Sequence, residues 1–193
     1  MDEMSKGNDD VKARCQENEN AMKTLETKVT RLQANQNCGE FLWCIQDWNE
    51  KRERARNGID TIIYSDPFYS HRNGYKMRLR LCPDGYGKDK GTNLSLYICI
   101  MQGEFDNILQ WPFRHDLKLE LMNQETGLAH ISKIVKPEDN LLEDSWKKPD
   151  SKENAGYGFY EFIKQSDLLF NAALLQDNQI WIKVTPHVKP ELS

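Results

Sequence analysis

The eight residues YKMRLRLC, at positions 75–82, alternate apolar and polar side chains without interruption. A repeat of two residues is typical of a β-strand with one buried face and one outward face. Met77 and Leu79 therefore lie on the predicted buried face. Arg78 and Arg80 lie on the opposite side, so the segment predicts a half-buried strand with cations on its outward face.

The same alternation returns along the chain, and turn-forming Pro, Asn, Asp and Gly residues separate the segments that carry it. Many short strands with few helical patterns predict a mainly β protein, built as an antiparallel β-sandwich. Short helices are expected at residues 46–57 and 166–169. The predicted strands are residues 41–48, 59–64, 75–82, 94–101, 117–121 and 180–184.

The first 37 residues contain no proline and no aromatic residue, whereas all five Trp, seven Tyr and seven Phe follow them. Residues 11–37 carry a heptad whose core positions alternate four and three residues apart, as a coiled coil requires. A lone helix this polar is marginal in water, so the pattern predicts an oligomer. The alternative is a single amphipathic helix packed on its own domain. The apolar part of the seam consists of Met22, Leu25, Val29 and Leu32.

Composition argues against several classes of function. The balance of 26 basic against 30 acidic residues disfavours non-specific binding to nucleic acid. No apolar run approaches the roughly 20 residues of a membrane helix, and residues 1–10 lack the apolar region of a signal peptide. Five cysteines without a C-x-x-C pair predict reduced thiols, with neither a disulfide framework nor a zinc site.

Catalytic motifs are missing from the sequence. It contains neither G-x-S-x-G nor H-E-x-x-H, and its four histidines are scattered without metal spacing. The glycine-rich residues 85–92 resemble a phosphate loop only faintly, because they join two strands and lack the G-K-[ST] ending. We therefore expect no enzymatic activity, no bound metal and no cofactor.

Two surfaces remain as candidates for binding. Lys76, Arg78 and Arg80 place three cations on one face of a strand, and Tyr97 adds a ring beside them if the two strands are neighbours. Such a strip suits an anion or an aromatic ligand; the alternative is an ordinary solvated face. Glycines alternate with aromatics around Tyr157, Gly158 and Phe159, which is typical of an open strand edge that pairs with an extended peptide. The alternative is an edge strand whose aromatic side chains belong to the core.

Six uncommon short sequence motifs follow one another along the chain. They are FLWCIQDW at 41–48, YSDPFY at 64–69, GYKM at 74–77, GTNLSL at 91–96, MQGEFD at 101–106 and LQWPF at 109–113. Together they resemble the TRAF domain, the MATH sandwich of the tumour-necrosis-factor receptor-associated factors. The resemblance covers residues 41–184, and the coil precedes them where that family has its trimerising coil.

The resemblance implies an eight-stranded antiparallel β-sandwich over residues 38–188, between a coil at 11–37 and a tail at 189–193, with a flexible terminus at 1–10. It also implies a homotrimeric cytoplasmic adaptor that couples receptor clustering to signalling. Each head of such an adaptor binds a short extended peptide from a receptor tail or another adaptor along a sheet edge. The alternative is the substrate-recognition part of a ubiquitin ligase whose RING and zinc-finger region lies outside this chain.

The peptide-binding strand is most similar to that of the family branch serving Toll and interleukin receptors, whose ligands read P-x-E-x-x-aromatic/acidic. The resemblance implies that Arg80 meets the final residue of that motif, with Tyr97 forming part of the same groove. Tyr157 and Phe159 match the two aromatics of the strand, in swapped order. The backbone of Gly158 and Phe159 would pair with the peptide.

The chain departs from both branches of the family at single positions. Ala155 replaces the lysine that helps to hold the ligand glutamate, which leaves Lys76 or Arg78 as its substitute. The other branch reads P/S-x-Q-E, and there a tyrosine stands at the position of Cys82 and a loop aspartate at that of Tyr86.

Overall fold

The structure is a computed structural model that describes residues 12, 14–25, 29, 39–140 and 144–187. The chain divides into two compact units, Met1–Gln36 and Asn37–Ser193. The predicted terminus at 1–10 and the predicted tail at 189–193 lie outside the described residues.

The described part of the first unit is helical, and residues 14–25 form helix α1. Met22, Leu25 and Val29 of the predicted seam are 61%, 59% and 50% exposed. Leu32, the fourth seam residue, lies outside the described residues. The described seam side chains are therefore open to solvent within a single chain.

Nine strands form two antiparallel sheets in the described part of the second unit. One sheet has the order β1-β9-β6-β7 and the other the order β2-β4-β5-β8, with β3 also paired to β4. The strands are β1 (Phe41–Ile45), β2 (Ile63–Tyr64), β3 (Phe68–Tyr69), β4 (Lys76–Cys82), β5 (Asn93–Ile100), β6 (Asp116–Met122), β7 (Ala129–Val135), β8 (Tyr157–Lys164) and β9 (Ile180–His187).

The two shortest strands share one position in their sheet. Ile63 of β2 lies opposite Leu81 near one end of β4, and Phe68 of β3 lies opposite Met77 near the other. Because β2 and β3 follow each other along the same edge, the strands occupy four positions in each sheet. The predicted eight-stranded antiparallel sandwich is thereby confirmed.

Helices α2 (Trp48–Arg56) and α3 (Gln165–Leu169) lie where short helices are predicted. The predicted strand at 41–48 ends early because Asp47 adopts a left-handed φ of 52° and Trp48, fully buried, begins α2. Asp60 likewise has a φ of 48°, which breaks the extended backbone of the predicted strand at 59–64. No helix in the described ranges has the length and apolar character needed to cross a membrane.

The core lies between the two sheets and consists of the alternating apolar residues of their inner faces. Leu79 of β4 and Leu96 of β5 come from one sheet, and Leu119 of β6 and Ile182 of β9 come from the other; all four are completely buried. Burying each such side chain contributes about 1.5–3 kcal/mol. The alternation seen in the sequence therefore orients the outward residues of β4 as well.

Strand β5 differs from its predicted pattern because it is buried on both faces. Ser95, Tyr97 and Cys99 point away from the core, yet they are only 0%, 5% and 2% exposed. Long side chains of neighbouring strands and loops cover them, as the geometry around Tyr97 shows below. A covered outer face beside the edge strand β8 is the feature that positions the candidate site.

Candidate functional site

A row of residues crosses the outer face of the β2-β4-β5-β8 sheet. Tyr64 lies opposite Arg80, Arg80 opposite Tyr97, and Tyr97 opposite Gly158. Residues directly opposite each other in antiparallel strands share a face. The sheet register therefore brings together three of the residues selected from the sequence, Arg80, Tyr97 and Gly158, and ends the row at edge strand β8.

Two tyrosines lie close to the Arg80 guanidinium and a third packs against both of them. We call these four residues the Arg80 cluster: Arg80, Tyr86, Tyr97 and Tyr160. The guanidinium carbon of Arg80 lies 5.1 Å from the ring centre of Tyr86 and 5.5 Å from that of Tyr97. The Tyr160 ring centre lies 5.5 Å from that of Tyr97 and 6.2 Å from that of Tyr86. These distances fall within or near the range of cation–π and aromatic attraction.

Arg80 has no carboxylate within ion-pair distance among the residues that the structure describes. Its Nε is buried and makes no hydrogen bond within the same residues. A partly buried guanidinium without an anion is costly, and carboxylates are its best-matched partners. The Arg80 cluster can therefore accept an acidic group, and its rings offer a stacking surface to an aromatic group.

Tyr97 supplies a second buried polar atom to the Arg80 cluster. Its hydroxyl is buried and makes no hydrogen bond of normal geometry to a described residue, although the nearby Ser95 hydroxyl interacts with it and offsets part of the effect of burial on its pKa. Burial raises the pKa of Tyr97 to about 12, from an ordinary value of 10.0. The hydroxyl therefore keeps its proton at physiological pH and remains a hydrogen-bond donor beside the guanidinium.

Gly158 of β8 and Gly156, which lies just before β8, have no side chain to cover the backbone next to β5 on the outer face of the sheet. A Cβ on Gly158 would come within 2.8 Å of the Tyr97 Cα and would also collide with the Leu96 carbonyl oxygen. A Cβ on Gly156 would lie 3.1 Å from the Cys99 Sγ. Glycine at 158 is thus required by the close approach of β5, and the row ends on backbone rather than on a side chain.

Among the described residues, β8 is the last strand of its sheet, and no described strand of that sheet pairs with the edge away from β5. Beyond Phe159 the pairing with β5 shifts register. There Ser95 Oγ donates to the Tyr160 carbonyl at 2.6 Å, and Lys133 Nζ of β7 donates to the Glu161 carbonyl. The open part of the edge is therefore the stretch from Tyr157 to Phe159, and unpaired edge groups are a template for an added strand.

The other two residues selected from the sequence, Tyr157 and Phe159, point to the opposite face of β8. They lie opposite Ile98 and Leu96, and both pack against the core. The Tyr157 ring lies 4.9 Å from that of Trp146. Their rings are consequently separated from Arg80 by the sheet itself, and they can take part in the open edge only through their backbone.

Tyr160 and Tyr86 are the site residues that the sequence analysis did not select. Tyr160 follows Gly158 by two residues, so strand periodicity alone places it on the face of Arg80. Tyr86 lies in the loop between β4 and β5, and no periodic pattern reaches it. Both are about half exposed, at 51% and 46%, and are available to a ligand.

Arg78 lies on the same face as Arg80 but is already paired. Its Nη2 donates to Glu153 Oε1 at 2.5 Å, and its Nε lies 2.5 Å from Glu153 Oε2. Its guanidinium carbon also lies 3.8 Å from the Tyr64 ring centre. Burial acts to lower the pKa of Arg78, but the hydrogen bond and charge of Glu153 outweigh it and raise that pKa. Arg78 is thus engaged within the chain, unlike Arg80.

Comparison with known proteins gives one consistent result. The family model of the TRAF/meprin MATH domain matches residues 60–183. TNF receptor-associated factor 5 of Mus musculus is 34% identical over 174 residues, which are 90% of this chain and 30% of that protein. TNF receptor-associated factor 2 of Homo sapiens is 34% identical over 163 residues, or 84% and 32% of the two chains.

A solved structure, that of Notothenia coriiceps TRAF5, superimposes with a TM-score of 0.82 at 28% identity and covers 98% of this chain and 94% of that chain. The chain spans about a third of the length of the curated relatives named above.

Proposed function

This chain belongs to the TRAF/meprin MATH-domain family, and from that premise we propose that it is a trimeric signalling adaptor whose heads bind short extended peptides. The peptides are segments of receptor cytoplasmic tails or of adaptors. Its relatives bear the name of TNF receptor-associated factors, which supports a role at receptors. The activity is binding alone and needs neither a cofactor nor nucleic acid.

One observation carries the proposal: the row from Arg80 through Tyr97 ends at Gly158 on the open edge of β8. An added strand would form backbone hydrogen bonds with Tyr157–Phe159, which provide affinity without regard to sequence. A side chain of the added strand that reaches over Gly158 would meet the Arg80 cluster. There the unpaired guanidinium selects an acid, and the tyrosine rings select an aromatic group.

The ligand motif that fits this site best is P-x-E-x-x-aromatic/acidic, with its last residue in the Arg80 cluster. A site made of one arginine and three tyrosines accepts either an acidic or an aromatic side chain as the last residue of the motif. P/S-x-Q-E is the second motif to test, because the loop at residues 85–91 resembles the branch that reads it, although Tyr86 replaces the aspartate of that branch. Lys76 is the remaining candidate to hold the motif glutamate, since Arg78 is paired with Glu153.

Trimerisation through the coil would give strong overall binding even if each head binds its peptide weakly. Met22, Leu25 and Val29 expose half or more of their side-chain surface, and an apolar stripe of this kind is stabilised by burial between helices. Three linked heads bind three clustered tails with an avidity far above that of one head. The protein would therefore respond in the cytoplasm to receptor clustering rather than to a single tail.

The second candidate function is the substrate-recognition part of a ubiquitin ligase, which would use the same groove on a different class of partner. A peptide array with P-x-E-x-x-aromatic, P-x-E-x-x-acidic and P/S-x-Q-E variants tests the groove itself. We expect the first two sets to bind and substitution of their last residue by alanine to remove binding. An array in which no motif binds above a scrambled peptide would overturn the proposal.

A further inference from the structure

We propose that, besides the motif glutamate, Glu153 allows the groove one ligand acid, which faces Arg80, and excludes a further acid two residues away at Arg78. The inference rests on the proposed function and adds a specificity-determining residue to it. The occupant is the same extended peptide, and Glu153 sets which of its side chains can be charged.

The outer face of the sheet carries two rows that are two residues apart along each strand. Arg80 lies opposite Tyr97 in the first row, and Arg78 lies opposite Cys99 in the second. An extended peptide beside β8 repeats its side-chain direction every two residues. Two side chains of the peptide, at positions i and i+2, therefore face the two rows in turn.

Both rows are accessible from β8 because glycine stands at the β8 end of each. Gly158 lies opposite Tyr97, and the ideal Cβ position on Gly156 is 3.1 Å from Cys99 Sγ. Neither glycine carries a side chain that would screen the row from a neighbouring strand. A peptide that continues past Tyr157 to Gly156 therefore meets the Arg78 row as well as the Arg80 row.

The two rows differ in charge. Glu153 forms a forked pair with Arg78, with both N–O distances at 2.5 Å, and the two side chains are only 16% and 21% exposed. Tyr64 stacks on the far side of the same guanidinium at 3.8 Å, which holds its plane. Arg80 has aromatic neighbours but no such carboxylate among the described residues. Of the two rows, only the Arg80 row therefore keeps a net positive charge.

A ligand acid in the second row meets a carboxylate instead of an unpaired cation. Like charges held close together in a partly buried site repel strongly. Displacing Glu153 does not help the ligand, because it separates a mostly buried ion pair and leaves one carboxylate without its arginine. A neutral side chain in the same place incurs neither cost, so the second row selects against charge.

The test uses three synthetic peptides built on the sequence Pro-Ala-Glu-Ala-Ala-Asp with alanine flanks. The first is this sequence unchanged. The second has Glu in place of the alanine two residues before the final Asp, and the third has Glu in place of the flanking alanine two residues after it. Only one of these two positions falls on the Arg78 row, so the other is an internal control. Wild-type protein should bind one of the Glu peptides about fivefold more weakly than the alanine peptide, by calorimetry.

Glu153→Gln should abolish that difference, because the amide still bonds to Arg78 but leaves its charge available. Glu161→Gln removes one charge from an exposed side chain on β8 and should leave the difference unchanged. The double variant Arg78→Met with Glu153→Met replaces the pair by apolar side chains and should also abolish it. Equal melting temperatures establish that each variant is folded.

The outcomes separate this inference from the function on which it rests. If wild-type protein fails to bind the alanine peptide, the proposed peptide motif is wrong. If it binds all three peptides equally, or if Glu153→Gln keeps the wild-type preference, the groove binds peptides but Glu153 does not select among them, and the inference is overturned.

Discussion

Arg80 and Tyr97 lie directly opposite each other on β4 and β5, with the guanidinium carbon 5.5 Å from the ring centre. Both carry a buried polar atom without a hydrogen bond of normal geometry to a described residue, Nε in the one and the hydroxyl in the other. Such a pair is costly to maintain unless something binds to it. The first predictions concern what each member contributes.

Arg80→Ala should weaken a P-x-E-x-x-acidic peptide by more than about 1 kcal/mol, because charge-assisted and stacking contacts have that order of strength. Arg80→Lys should restore only part of the affinity, since an ammonium lacks the planar fork of a guanidinium. Calorimetry measures both. Phe170→Ala, at a side chain that is 90% exposed, is the control and should bind as the wild type does. Unchanged affinity in Arg80→Ala would remove Arg80 from the site.

Tyr97→Phe should separate stability from binding. It deletes a buried hydroxyl that makes no hydrogen bond of normal geometry in the described structure, so the free energy of unfolding at pH 7 should stay equal or rise. If the hydroxyl donates to the peptide, affinity should fall by about 1 kcal/mol. Urea unfolding and calorimetry provide the two numbers. A loss of stability with unchanged affinity would mean that the hydroxyl is structural.

Tyr97 should also make the stability of the fold depend on pH in the alkaline range. Burial raises the pKa of Tyr97 from 10.0 to about 12 in the folded chain, so the folded state holds its proton more tightly than the unfolded state. Its contribution is fully present below pH 10 and is lost as the pH rises through 12. Urea unfolding between pH 9 and 12 should show a smaller decline in Tyr97→Phe than in wild type. Parallel declines in the two proteins would contradict the shift.

Gly158→Ala should destabilise the head by about 1–3 kcal/mol, the usual effect of forcing extra atoms into a packed region. The added Cβ would collide with the Leu96 carbonyl and approach the Tyr97 Cα to 2.8 Å. Gly156→Ala is the graded control, because its closest contact is the Cys99 Sγ at 3.1 Å, and it should cost less. Urea unfolding compares the two, and equal effects would mean that β5 and β8 adjust freely.

The sequence predicted these contacts to different degrees. Strict alternation over residues 75–82 is enough to place Arg80 outward, since a strand with one apolar face has only one stable orientation. Tyr97 shares its own strand's outward face for the same reason. That the two lie opposite each other depends on the register between β4 and β5, which many residues fix together and no short pattern encodes.

The sequence pattern around Gly158 did not predict which aromatic side chains of β8 lie at the site. Alternating glycines and aromatics suggested exposed rings at Tyr157 and Phe159, but the inner face of β8 needs apolar groups opposite Ile98 and Leu96. Tyr160, on the other face, is the ring that reaches the Arg80 cluster. Glu153 was not found either, because it lies in a connection before β8 and only the folded chain brings it to Arg78.

Leu25→Asp tests the coil, the part of the chain that we propose forms the trimer. Leu25 is 59% exposed on α1, and a carboxylate in the seam of a trimer would be buried among apolar side chains at a cost of several kcal/mol. Light scattering should report a trimer for the wild type at micromolar concentration and a monomer for this variant. Asn20→Asp places the same charge on the exposed side of the helix, two heptad positions after d, and should remain trimeric.

Because the head is a separate compact unit, single-site peptide affinity should be equal in all three proteins, whereas binding to a surface coated densely with peptide should fall only in Leu25→Asp. A monomeric wild type, or a trimer that survives Leu25→Asp, would contradict the assignment of the seam.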